Sequence, residues 1–530
     1  MQKLYLFNAA CQTLRQSIIS CQRNYEQHLS NHRKTKPKLF HSYIRKKKTA
    51  RPSVGPLRIN GQLSDDPQDM ANQFVNAFAT VFTTDSPDNP SPHQQSPAVI
   101  DDVDFTVSDV ENQLKSLKTY SAMGPDKIHP VLLKQCAHTL ARPFYLLFKS
   151  SLVSGSVPTS WKHSSVIPIF KKGPKTDPLN YRPISLTPIP CKTMERIITK
   201  TLYGFLESHL ILDDAQYGFR SGRSVTDQLL LTYNKITQWY DAGHTVDLIL
   251  FDFVKAFDRV HHETLLAKLA ELGISGNLYR WIESFLANRT MSVSIKDIQS
   301  WVELVASGVP QGSVIGPLLF LIFINHLGAT LTCNYMMFAD DLKLYIHHPN
   351  KLSPPQISQE LQDNINRLSS IAASWGLKFA PEKCVHLHFK RGLEDAPAPQ
   401  YKLDGTNLKT PASHQDLGVT IDTSLRFHPH IRTAANKAGG VATNLLKSTV
   451  CRSPSFMTTL LISDIRPILD FASPVWNTRF EGDTHLLESV QRRWTKEVCG
   501  LSPLSYEERL IRLNLLSMRG RLLRADLIQC

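Results

Sequence analysis

The 530-residue chain has no apolar run of the roughly 18–20 residues that a membrane-spanning helix requires. The longest, VIGPLLFLIFI from Val314 to Ile324, is broken by Gly316-Pro317 and reads as a buried helix. The opening MQKLYLFNAACQTLRQ has no basic end, apolar segment and small-residue cleavage site in succession, so neither a secretory leader nor a membrane anchor is expected. Cysteine is sparse: nine residues with no CxxC pair and no Cys/His ligand spacing. That argues for a reducing compartment and against a disulfide frame or a structural zinc. Charge of one sign is missing in two places. Residues 61–112 contain no lysine or arginine, and residues 1–60 contain a single acid, Glu26.

The rest of the composition is that of a globular protein, with 42% hydrophobic and 20% charged residues, and its length points to several subdomains. The net charge of +14 is unevenly placed, with thirteen Lys/Arg in residues 1–60 and ten acids in residues 61–112. Basic blocks such as RKTKPK (Arg33–Lys38) and RKKKTAR (Arg45–Arg51) neutralise phosphates and release counterions, which suits a nucleic-acid partner. A solvated arm or a nuclear address accounts for them equally well.

Residues 1–30 show weak helical periodicity that dissolves into the basic stretch. ANQFVNAFATVF (Ala71–Phe82) reads as a short amphipathic helix, and TDSPDNPSPHQQSP (Thr84–Pro97) as a Pro/Ser-rich linker. The compact part is expected from about Val103. SSVIPIFKKG (Ser164–Gly173) predicts a strand ending in a basic turn, with NYRPISLT (Asn180–Thr187) as its partner. Ser224 is placed to N-cap a helix that stops at Gly243, and DLILFDFV (Asp247–Val254) predicts a buried strand. ISQELQDNINRLSSIAASW predicts a helix closed by Gly376, HLHF (His386–Phe389) a short strand, and the chain beyond about Phe427 mostly helix. The class is α+β.

YMMFADDLKLYI (Tyr335–Ile346) sets Asp340 and Asp341 side by side between two apolar runs, as at the turn of a β-hairpin. Aspartate favours turns in any case. A third carboxylate, Asp252, ends the apolar run LILF, again at a strand end. Anions clustered in an apolar setting repel, and they protonate unless cations compensate. Divalent metal ions are the natural compensation, because Mg²⁺ takes a few carboxylates together with substrate phosphates, and two such ions clamp an in-line phosphoryl transfer.

The chain resembles the reverse transcriptase of non-LTR retrotransposons of the LINE type, and within these the jockey-like group. The resemblance rests on GPDKIHPVLLK (Gly124–Lys134), NYRPISLTPIPCKTMERII (Asn180–Ile198), AQYGFRSGRSVTDQLL (Ala215–Leu230) and LILFDFVKAFDRVHHETLLAKL (Leu248–Leu269). It continues in order through SGVPQGSVIGPLLFLIFIN (Ser307–Asn325), FADDLKLY, WGLKFAPEKC (Trp375–Cys384), LGVTID (Leu417–Asp422), IRPILDFASPVWN (Ile465–Asn477) and LESVQRRW (Leu487–Trp494). The resemblance implies a right-hand polymerase. Residues 1–105 would be an N-terminal extension and linker, and 106–245 the fingers. Residues 246–424 would be a palm built on an antiparallel sheet backed by helices, with a primer-grip hairpin at LGVTID, and 425–530 a helical thumb.

It further implies an RNA-directed DNA polymerase that uses two Mg²⁺ ions, with Mn²⁺ as a possible substitute. Its partners would be an RNA template, a DNA primer or target, and dNTPs, inside a nuclear or cytoplasmic ribonucleoprotein. Asp252, Asp340 and Asp341 would be the catalytic metal ligands, Asp341 the least direct. Phe257 would be the gate that excludes a 2′-hydroxyl, although by itself it is a core aromatic. Gln311 and Gly312 would touch the incoming nucleotide. Lys171 and Arg182 would grip the triphosphate, with Lys172 an alternative register for Lys171. Lys383 would be a general acid for pyrophosphate or an ordinary turn lysine, Arg220 and Arg223 would contact the template backbone, and Asp258 would hold a local turn. No segment resembles the family's nicking endonuclease, so a truncated element is expected. A catalytically silent RNA-binding remnant and a maturase-like splicing partner are the competing readings, and the intact aspartates count against the first.

Overall fold

The computed structural model describes residues 2–48, 54–83, 98–349, 355–391, 398–478 and 480–529. SSVIPIFKKG forms strand β1 (His163–Phe170), paired antiparallel with β2 (Tyr181–Leu186) in the register Ile169↔Arg182. DLILFDFV forms β3 (Thr245–Phe251), and β4 (Thr290–Ile295) runs parallel to β1. A hairpin follows from β5 (Asn334–Phe338) and β6 (Asp341–His348), and then comes β7 (Val385–Phe389). The central sheet has the order β7-β3-β6-β5, with every neighbouring pair antiparallel.

Side chains alternate across a strand, so β3 feeds two cores. Val246, Leu248 and Leu250 pack with helices Val225–Asp241, His428–Ser448 and Glu481–Lys496 on one face. Ile249 and Phe251 face the opposite core, beside helices Gly316–Ile324 and Pro355–Ser374. The Gly316–Ile324 helix is apolar on all sides because it is enclosed on all sides, which explains the longest apolar run without a membrane. Among the described residues no helix is long and apolar enough to cross one.

Local signals hold where they were strong. Ser224 N-caps Val225–Asp241 through a capping box with Asp227, and Gly243 takes φ 85° just beyond its end. LGVTID closes a hairpin between β8 (Ser413–Asp416) and β9 (Val419–Asp422), with positive φ at Leu417 and Gly418 as a two-residue hairpin turn prefers.

The N-terminal region differs from expectation. Residues Gln2–Asn31 form one helix, and Arg45–Lys48 stand in a second, Pro37–Lys48, rather than in a dissolved arm. The second helix is fixed by tertiary packing: Phe40 and Ile44, four residues apart, are buried, and the Phe40 ring lies 6.1 Å from that of Phe456. Helix Pro67–Ala79, capped by Asp66, buries Phe74, Val75 and Phe78 against Val166, Tyr181 and Val293. Close packing therefore starts well before Val103. The expected linker at 84–97 lies outside the described residues.

Candidate active site

The β5–β6 hairpin turns on two residues, Ala339 and Asp340, because Phe338 already pairs with Asp341. On the other side of β6, Leu342 pairs with Phe251, the residue before Asp252. This register carries Asp252 to the same sheet end as Asp340 and Asp341, although 88 positions separate it from the first of them.

The turn is braced from below by AQYGF. The Gln216 side-chain oxygen accepts hydrogen bonds from the backbone N–H of Gly218 (2.7 Å) and of Ala339 (2.8 Å). Met337 N–H donates to Ala215 O (2.9 Å) and Tyr217 N–H to Met337 O (2.8 Å), a short parallel bridge along β5. Gly218 allows this approach, since a Cβ there would stand 2.3 Å from the Ala339 nitrogen. Gln216 is almost fully buried and was missed from sequence; a lone Gln in the apolar-flanked QYGF was the only signal. Asp252 is held by the segment after Gly376. Ala380 N–H donates to Asp252 O (2.8 Å), and the Phe253 ring stacks 4.3 Å from that of Phe379.

The three carboxylates crowd one another. Burial, then repulsion from Asp252, raises the Asp340 carboxyl, while Lys171 and Arg182 pull it down. Asp341 keeps exposed surface at the turn, yet desolvation, followed by Asp340, Asp416 and Asp252, pushes its carboxyl up to about 7 against the pull of Lys343. Lys343 is itself buried and donates to Asp416 (2.6 Å), which also accepts from the Tyr233 hydroxyl (2.7 Å). The β8–β9 hairpin therefore reaches the carboxylates through a buried ion pair, another contact that sequence spacing gave no sign of.

Cations surround this group. Lys383 Nζ lies 3.9 Å from Asp252 Oδ1. Lys171 is lowered by burial and by Arg182 and is drawn upward by Asp252, so it faces the carboxylates. Lys255 joins the group unforeseen. It takes φ 51°, points its Nζ to Tyr181 O (3.4 Å), and is lowered by burial with Lys171 and Lys383 among its repelling neighbours.

Phe257 stacks on Phe320 at 4.1 Å and 18°, with one face of the pair against the core. The buried Asp258 accepts from the Gln311 amide (2.8 Å), so its side chain holds Gln311. Gln311 O accepts from Ser185 N–H (2.7 Å), and Gly312 at φ 126° lies where a Cβ would stand 2.4 Å from Ser185 O. The Gln311-Gly312 loop is thereby fixed against β2, the strand that carries Arg182.

Arg220 is engaged within the fold. Its buried guanidinium makes a two-point pair with Glu207 (2.9 and 2.7 Å) and donates to Asp213 O (2.8 Å). Arg223 pairs with the exposed Asp214 (2.8 Å) and lies 4.8 Å over the Tyr217 ring, at the surface.

Residues 170–421 match the family model described as "Reverse transcriptase (RNA-dependent DNA polymerase)". The chain is 28% identical over 404 residues to the probable RNA-directed DNA polymerase from transposon BS of Drosophila melanogaster, covering 72% of this chain and 44% of that one. It is 29% identical over 335 residues to the RNA-directed DNA polymerase from mobile element jockey of the same species, covering 62% and 36%. A putative 115 kDa protein in the type-1 retrotransposable element R1DM, also from Drosophila melanogaster, is 28% identical over 455 residues, covering 83% and 41%. The chain spans less than half the length of these relatives.

Proposed function

We propose that the chain, whose residues 170–421 match the reverse transcriptase family model, is an RNA-directed DNA polymerase extending a DNA 3′ end on an RNA template. The observation that carries this reading is the meeting of Asp252 with Asp340 and Asp341 at one sheet end, with Lys171, Arg182 and Lys383 around them. Similarity to RNA-directed DNA polymerases of mobile elements supports an RNA of that kind as template; a nuclear or cytoplasmic ribonucleoprotein is the working state proposed with it.

The carboxylates are hard oxygen donors, with Asp340 and Asp341 raised by their burial and by neighbouring carboxylates, a set that fits Mg²⁺. Asp252 and Asp340 would hold two such ions as principal ligands and Asp341 would assist, with Mn²⁺ able to substitute. When bound, such ions supply Lewis-acid activation of the primer hydroxyl and neutralise the leaving pyrophosphate. Lys171 and Arg182 orient the triphosphate and offset charge that develops on its leaving oxygens. Lys383 stands where a proton can pass to pyrophosphate. Phe257, backed by Phe320, leaves no room for a 2′-hydroxyl and so selects deoxynucleotides. Gln311, held by Asp258, and Gly312 line the nucleotide side, and Arg223 is retained as a template-backbone contact.

The test is dNTP incorporation on poly(rA)/oligo(dT) with Mg²⁺, wild type beside Asp340→Asn. Incorporation by wild type that falls at least about a thousandfold in the variant is expected, because the lost carboxylate would hold metal in the transition state. A folded wild type that binds RNA and incorporates nothing would overturn the reading and leave a binding protein.

A further inference from the structure

At the far end of β3 from Asp252, the sheet register assembles a second polar group. Asp247 pairs with His388 on β7 and with Ile346 on β6, while His386 pairs with Ile249. Residues two apart on a strand share a face, so Asp247, His386 and His388 all project from the same side. Five residues of strand separate Asp247 from Asp252, about 16 Å at 3.3 Å per residue, so this is no part of the catalytic group.

The two imidazoles converge on a single oxygen. Asp247 Oδ1 receives His386 Nε2 at 2.7 Å and His388 Nδ1 at 2.6 Å. The three atoms lie within 4.8 Å of one another. The other carboxylate oxygen, Oδ2, is held by the Tyr401 hydroxyl (2.7 Å) and by His348 Nε2 (2.7 Å). His386 directs its outer nitrogen, Nδ1, to Thr410 Oγ1 at 3.2 Å. Asp247 and His386 are fully buried, whereas the His388 side chain keeps 15% of its surface open.

We propose that Asp247, His386 and His388 form a binding site for one divalent transition-metal ion of the zinc class. Two imidazoles and one carboxylate are a zinc donor set that leaves a fourth position for water, and the partly open His388 side supplies the access. The surroundings match what such a site needs. The non-ligating carboxylate oxygen accepts two hydrogen bonds, and an outer imidazole nitrogen is fixed by an oxygen, the arrangement that orients metal ligands. Binding requires only that each neutral imidazole carry its single N–H on the outer nitrogen, leaving Nε2 of His386 and Nδ1 of His388 bare. No net proton is released from neutral rings. The ion then takes the place of the two protons between the same three atoms, which move to the outer nitrogens, and the N···O separations open by roughly 0.8 Å to about 3.4 Å, as tetrahedral ligands about 2.1 Å from a common centre require. It would tie the edge strand β7 to the central strand β3. The site draws on residues outside the polymerase chemistry and stands whether or not the chain polymerises.

The test is Co²⁺ titration of the full-length chain, stripped of metal, read by visible absorption. Tetrahedral Co²⁺ with imidazole ligands gives intense visible bands, whereas the all-oxygen catalytic group gives only the weak octahedral spectrum. A single equivalent giving the intense bands in wild type and in Asp340→Asn, displaced by Zn²⁺ and lost in His388→Gln, is the expected result. Zn²⁺ affinity should fall more than about tenfold in that variant. Only the weak spectrum in wild type would overturn the proposal and leave a hydrogen-bonded Asp–His cluster, as would intense bands that survive His388→Gln. Should His388→Gln not fold, zinc K-edge absorption of the wild type decides the matter: a shell without two imidazoles overturns the site.

Discussion

Asp258 follows the ring of Phe257, and its buried carboxylate accepts the 2.8 Å bond from Gln311. A hydrogen bond to a charged acceptor contributes about 1.5–3 kcal/mol, or roughly ten- to a hundredfold in an equilibrium. Asp258→Ala should therefore raise the KM for dNTP about tenfold, with a smaller fall in kcat. Gln311→Ala should do the same, and steady-state kinetics of the double variant should be no worse than either single if the two act as one unit. Asp341 makes a prediction in pH. Its carboxyl rises from 3.8 to about 7 on folding, so between those values the folded chain holds a proton that the unfolded chain has released. Stability of the metal-free protein then falls as pH rises through that window. Asp341→Asn should raise the melting temperature by about 2 °C or more near pH 8 and by nothing near pH 4. Thermal melts in chelator read this, and an equal gain at both ends would rule out the titration.

The element that deserves the name of a brace is the 215–219 segment. It donates and accepts along β5, and Gln216 ties it to the Ala339 nitrogen. Gly218→Ala would drive a Cβ to within 2.3 Å of that nitrogen, a backbone atom that cannot swing away. The Ala339-Asp340 turn must then shift. We expect at least about a tenfold loss of kcat, since small misplacements of reacting groups cost that much or more, with RNA binding retained. A filter-binding assay beside single-turnover incorporation separates the two, and an unchanged rate would show that the turn does not depend on the brace. The strand itself was legible because VIPIF, LILF and HLHF alternate or run apolar between turn residues. The brace was not, because its hydrogen bonds join residues 123 positions apart, from Gln216 to Ala339.

Across the whole molecule, the N-terminal helices close onto the C-terminal ones. Glu26, the single acid of residues 1–60, is fully buried and accepts from the Tyr43 hydroxyl (2.7 Å), Val450 N–H (2.9 Å) and Cys451 N–H (2.7 Å). Burial, together with the Glu26 carboxylate beside it, holds the Tyr43 hydroxyl well above its usual range. Glu26→Ala strands two backbone donors, Cys451 N–H buried and Val450 N–H part-buried, a loss of about 2–4 kcal/mol. Melting should drop several degrees and proteolysis should release the N-terminal helices first, while incorporation at low temperature persists. A melting curve identical to wild type would mean that these helices do not contribute to the fold's stability.

Local pattern decided what local forces decide. The apolar runs placed β3, β5 and β6, and Ser224 with Asp227 started a helix. The carboxylates at strand ends, read with the ordered motifs around them, pointed to the polymerase chemistry. Tertiary structure alone decided the partners. Lys171, just beyond the end of β1, feels the Asp252 carboxylate, 81 positions later in the chain. Arg220 turns inward because Glu207, thirteen residues earlier, comes within 2.7 Å. Glu26 looked like a stray acid in a basic arm until the fold brought two backbone donors to it. The cysteine pattern spoke against structural zinc, yet Asp247 and His388, 141 positions apart, meet because antiparallel pairing puts them opposite each other. Periodicity records which face a side chain takes, and only pairing across the sheet records what it meets there.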